Sequence, residues 1–136
     1  MVSVLELSSN SLARLRRRLL EFLLHSSQKL IVRPIVKYTA LSFFADRFFR
    51  SISRMRKAEL FNDDGCWLLN PLTESNLQLF ALVSIWISSK LHDSRPLSVK
   101  SLKSLGDVLI TDQCFTTRDF AEAERVFMEV QSSDVD

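Results

Sequence analysis

The chain offers few residues for bond-making chemistry. His25 and His92 are its only histidines, and neither has a Cys, Asp or Glu at a metal-ligating spacing. Cys66 and Cys114 stand apart, without a CxxC arrangement, and no secretory signal precedes them, so a reducing nucleus or cytoplasm is the expected compartment. The two glycines, Gly65 and Gly106, cannot build a phosphate-cradling loop, and no Ser or Cys lies in a nucleophile-elbow context. The sequence therefore predicts no catalytic residue, no metal, no cofactor and no small-molecule substrate. It points to a binding or regulatory protein.

Four charges stand out by position. Arg16 falls inside an apolar stripe of Leu12, Leu15, Leu19, Phe22 and Leu23. Asp46 falls on a face with Ile35, Tyr38, Ser42, Ala45 and Phe49. An unpaired buried charge is prohibitive, so these two are expected to pair with each other and lock two helices in register. Loss of one partner of a buried pair costs about 3–5 kcal/mol. Lys90 and Glu124 lie near the ends of two later helices. They are either a snorkelling lysine with its carboxylate or two groups reaching a partner protein across a bundle rim.

The element that must position them is the run Asn76–Asp93. From Leu77 to Ile87 nine of eleven residues are apolar and cover every side of a helical wheel, which demands a helix enclosed by others. A membrane span needs about 20 apolar residues, so the run is too short to cross a bilayer. Ala81, Ser84 and Ser88 are small and let neighbouring helices approach. With 46% hydrophobic residues, two glycines and three prolines, the chain is expected to be one all-α domain.

Around that rod, helices are expected at about 12–27, capped by Ser9, Asn10 or Ser11, and at 34–53, opened by Pro34. The rod itself should span 74–91. A helix at 98–105 should be capped by Ser98 and stopped by Gly106, and one at 116–130 should open on Thr116 and Asp119. Residues 1–11 form an N-terminal extension, 57–73 a long loop rich in turn residues, and 131–136 a polar tail.

Net charge is +2, but it is unevenly spread. Residues 1–57 carry 12 Lys and Arg against 3 Asp and Glu, and residues 58–136 carry 6 against 13. The basic half could attract nucleic acid or an acidic protein surface, or be a solvated face.

Taken in order, these segments resemble the cyclin box, the five-helix domain of cyclins. Leu15-Arg16-Arg17-Arg18-Leu19, with Glu21-Phe22-Leu23, is similar to the family's MRAIL stretch. Ala45-Asp46-Arg47-Phe48 matches its helix-two signature. Leu77-Gln78-Leu79, Ser88-Ser89-Lys90 and Pro96 match its helix-three pattern, and Ile110-Thr111-Asp112, Phe115-Thr116 and Ala123-Glu124 lead into helix five. The likeness covers about residues 15–130. It is nearest to the divergent plant J-type cyclins, and the chain would be a single-box form truncated after the first box.

The resemblance implies a regulatory subunit that binds and activates a cyclin-dependent protein kinase in cell-cycle control. It implies the Arg16–Asp46 pair as structural, and Lys90 and Glu124 as kinase contacts. It further implies a substrate-docking patch at Leu15, Leu19, Phe22 and Gln78, altered here because Arg18 replaces an isoleucine and Phe22 a tryptophan. His92-Asp93 replaces an acidic pair, which weakens contacts to basic kinase residues. No membrane partner is expected. Two other outcomes stay open: a nucleic-acid-binding box of the kind found in transcription factors, disfavoured because few aromatics accompany the basic residues, and a truncated cyclin that does not activate.

Overall fold

A computed structural model describes residues 4–54, 67–69 and 71–133, and within these the chain is all-helical. Among the described residues, five helical rods follow a short 3-10 turn at Val4–Glu6. They are α1 (Ser9–Lys29), α2 (Pro34–Leu41, continued by a π-helical Ser42–Phe48 and by Phe49–Arg54), α3 (Glu74–His92), α4 (Val99–Leu109) and α5 (Thr117–Ser133). The all-helical architecture around an enclosed rod, expected from the sequence, is the one observed among the described residues. No described helix is long and apolar enough to cross a membrane.

Helix α3 is the enclosed rod. It packs on α1, α2, α4 and α5, and Leu77, Leu79, Phe80, Ala81, Leu82, Val83 and Ile85 are all fully buried. Ser84 and Ser88 are buried too. The Ser84 hydroxyl donates to the Ala81 carbonyl, and the Ser88 hydroxyl to the Val36 carbonyl of α2 at 2.7 Å. That second bond is possible because a small side chain lets the two backbones approach, and it supplies the buried hydroxyl with a partner.

The helix starts follow local chemistry. The Ser8 hydroxyl, one residue before the expected caps, accepts from the Ser11 amide. Thr73 caps α3 through the Asn76 amide, and Ser98 caps α4 through the Ser101 amide. Thr116 and Asp119 form the reciprocal capping box, each side oxygen accepting from the other residue's amide.

Three details depart from expectation. Gly106 does not stop α4, which runs on to Leu109. Gly106 is buried where α4 crosses α3 and α5. A β-carbon there would meet Leu82 and Phe120 side chains at 3.4 and 3.5 Å, ordinary contact distances. Gly106→Ala is therefore expected to raise stability by about 0.5–1 kcal/mol through helix propensity, read as a higher urea midpoint.

The second departure is the inward face of α2. Val36, Ala40, Phe44, Phe48 and Ile52 are buried, whereas Ile35 and Tyr38, expected inside, are exposed. A spacing of four residues drifts about 40° per step on an ideal α-helix. The π segment takes up that drift and keeps Phe44 and Phe48 on the core. The third is the tail: α5 continues to Ser133, so residues 131–133 are helical.

Most of the 57–73 loop lies outside the described residues. Its end is anchored from α3: the buried Asn76 amide group donates to the carbonyls of Leu68 and Pro71, at 3.0 and 3.2 Å. The expected extension is tied down at the same place, where the Val4 amide donates to the Leu72 carbonyl at 2.8 Å.

Candidate functional site

Lys90 lies in the last turn of α3, where a cation is favoured by the helix dipole. Glu124 lies on α5. The Lys90 Nζ donates to Glu124 Oε2 at 2.5 Å, so the two groups that the sequence placed at the rim meet there. Trp86, one turn earlier on α3, lies under the ammonium with its ring centroid 3.8 Å away. The side chains of Lys90 and Glu124 are 39% and 28% exposed. A pair so open to water contributes about 0–1 kcal/mol to folding and is readily exchanged for an intermolecular contact.

Beside this pair the end of α3 is clasped to the start of α2. Arg33 Nε donates to Asp93 Oδ1 at 2.8 Å, and Arg33 Nη2 to the His92 carbonyl at 2.6 Å. His92 Nε2 lies 2.9 Å from the Thr39 hydroxyl. These contacts, with Ser88–Val36, fix the strand of chain that follows Lys90. His92 and Asp93 are therefore engaged within the chain.

The expected Arg16–Asp46 lock is not formed. Both side chains are exposed, and no ion pair joins them among the described residues. The premise of burial fails for two reasons. Arg16 is exposed beside a buried stripe of Leu15, Leu19, Leu23, Ser26 and Ser27, and Asp46 lies in the π segment, whose changed pitch presents Phe44 and Phe48 inward instead. The basic residue that ties α1 to its neighbour is Arg18. Its Nε and Nη2 donate to the two carboxylate oxygens of Glu74, at 3.1 and 3.2 Å, in the first turn of α3. The hydrogen bond and the charge of Glu74 together raise the Arg18 pKa further above its ordinary value.

The residues of the altered docking patch divide. Leu15 and Leu19 are buried core residues, while Phe22 and Gln78 are half-buried. The four do not form an exposed apolar surface. Cys114 is an exposed free thiol. No group of three or more His, Cys, Asp or Glu side chains is placed to hold a metal among the described residues.

The sequence reading missed Trp86 and the Arg33 clasp. Trp86 was detectable, because residues four apart on a helix are neighbours. Arg33–Asp93 joins positions 60 residues apart, and no local pattern marks it.

Comparison with known proteins agrees with this architecture. The family described as Cyclin, N-terminal domain, matches residues 2–135. The chain is 62% identical over 120 residues to a protein named Cyclin-J18-like from Oryza sativa subsp. japonica, covering 85% of this chain and 45% of that protein. It is 55% identical over 125 residues to Cyclin-J18 from Arabidopsis thaliana, covering 90% of this chain and 51% of that protein. The chain thus spans about half the length of the curated relatives it matches. A five-helix bundle around one enclosed rod, matched along nearly all its length by the cyclin N-terminal domain, places this chain in the cyclin family, with plant J18 cyclins among its relatives.

Proposed function

We propose that this cyclin box binds a cyclin-dependent protein kinase, with Lys90 and Glu124 as its principal charged contacts, and that it acts in the nucleus or cytoplasm as a regulator of that kinase. The observation that carries this reading is the Lys90–Glu124 pair, held together on the exposed rim over Trp86. The pair sits where it adds little to folding and presents a donor and an acceptor side by side. Binding would favour one conformation of the kinase's mobile elements, so that the cyclin shifts a population and makes no bond itself.

The test is recovery of a kinase. The full chain, tagged and used as bait, is expected to retain a cyclin-dependent kinase identified by mass spectrometry. Lys90→Ala combined with Glu124→Ala is expected to lose it while melting within a few degrees of the wild type. Undiminished recovery by the double variant would remove these residues from the interface.

A further inference from the structure

From Leu77 to Ser89, helix α3 is buried except at Gln78 and Trp86. Trp86 is half-buried and has two sides. One packs against the core, and the other lies under the Lys90 ammonium, with 3.8 Å between Nζ and the ring centroid. The turn that joins the two residues is braced from outside the helix. The Ser89 hydroxyl donates to the Trp86 carbonyl at 2.8 Å and accepts from the amide of Leu97, on the chain leading into α4, at 3.1 Å. Ring and ammonium therefore ride on a fixed piece of backbone.

The two groups that hold the ammonium differ in what a partner can do to them. A lysine ammonium has three N–H donors and no acceptor. Glu124 takes one donor, and no other acceptor among the described residues takes a second. An acceptor brought by a partner competes with Glu124 for the same kind of bond, in a pair already open to water. It does not compete with Trp86, because the ring attracts the cation's charge through its π face. The contact with Trp86 is thus the one that outlasts the exchange. Ordering a free, rotamer-rich lysine at an interface costs affinity, and a lysine already seated loses less.

We propose that Trp86 is a positioning residue for kinase binding. It seats the Lys90 ammonium before the kinase arrives and keeps it seated when an acceptor of the kinase joins or displaces Glu124. Trp86 acts through Lys90 and does not itself touch the kinase. The inference rests on the kinase-binding reading and deepens it.

Two measurements test it. In the free chain, nuclear magnetic resonance is expected to show the Lys90 ε-methylene protons shifted upfield by the indole ring current, and the shift is expected to vanish in Trp86→Leu. Unshifted protons in the wild type overturn the inference with no kinase present. Affinity for the kinase recovered with the wild-type chain is then measured for Trp86→Leu and Trp86→Phe, each alone and combined with Lys90→Met, beside melting curves. Trp86→Leu is expected to weaken binding about three- to tenfold. Trp86→Phe keeps a π face and is expected to stay within about threefold of wild type. Combined with Lys90→Met, Trp86→Leu is expected to weaken binding no further. Trp86→Met, whose flexible chain fills irregular space, serves the same comparison if the leucine variant does not fold. An equal loss with and without Lys90 would make Trp86 a direct contact or a merely structural residue and overturns the inference. Wild-type affinity in Trp86→Leu overturns it too, and both results leave the Lys90–Glu124 reading standing. A wild-type chain that shows the shifted protons but binds no such kinase ends that reading, and this inference with it.

Discussion

Phe48→Ala is expected to cost about 4 kcal/mol of folding stability, the largest loss of any single truncation considered. Phe48 is fully buried at the junction of three rods. Its ring stacks on Phe127 of α5, with centroids 4.6 Å apart and planes within 9°. It also meets Phe80 of α3 at 4.7 Å and Phe44 of its own rod at 6.0 Å. Truncation removes the transfer free energy of the ring, leaves a cavity that three rigid helices cannot close, and deletes aromatic contacts worth about 0.5–1.5 kcal/mol per pair. Domains are stable by only about 5–15 kcal/mol, so the variant should be close to unfolding at room temperature. Urea denaturation checks this, with Phe48→Leu as the milder control at about 1.5 kcal/mol or less. A Phe48→Ala loss below about 1 kcal/mol would mean that the ring cluster does not form the centre of the bundle.

The same residue shows how much of the fold the sequence carries. Two enclosing features were readable at once: the all-round apolar run of α3, and the caps Ser98 and Thr116, because both depend on neighbours in sequence. The inward face of α2 was not readable from a 3.6-residue wheel. That wheel puts Ile35 and Tyr38 inside, whereas the π segment Ser42–Phe48 turns Phe44 and Phe48 there. The π segment packs on α3 and α5, and nothing local in the sequence announces its pitch. Asp46 was misplaced for the same reason, and with it the expected partner of Arg16.

The site divides along the same line. Lys90 at a helix end and Glu124 beside an apolar stripe are local facts, and the bundle brings them to 2.5 Å. The partnership of Arg18 with Glu74 depends on how α1 crosses the start of α3, across 56 positions. Arg33 with Asp93 depends on the turn that carries Ile31. Neither crossing is written in periodicity. Charges on such faces pair with whatever the tertiary geometry supplies.

Reversing both members of the rim pair, Lys90→Glu with Glu124→Lys, is expected to separate folding from recognition. The swapped side chains can remake an ion pair across the same two helices, so the fold should lose little. An exposed pair is worth about 0–1 kcal/mol, and placing a carboxylate at the C-terminus of α3 costs about 0.3–1 kcal/mol against the helix dipole. The ammonium over Trp86 is lost as well, a contact worth about 0.5–1 kcal/mol at an exposed site. A kinase that meets the wild-type arrangement, by contrast, would face a carboxylate where it expects an ammonium and the reverse. Like charges opposed at a desolvated interface cost several kcal/mol, and an affinity loss of about a hundredfold or more is expected. The measurement is a binding isotherm against the recovered kinase beside a melting curve of the free chain. If the pair served only to tie α3 to α5, each single reversal would weaken binding and the double reversal would restore it. Restoration to wild-type affinity would therefore show that the contact with Glu124 is what matters about Lys90, and would move the kinase interface elsewhere on the molecule.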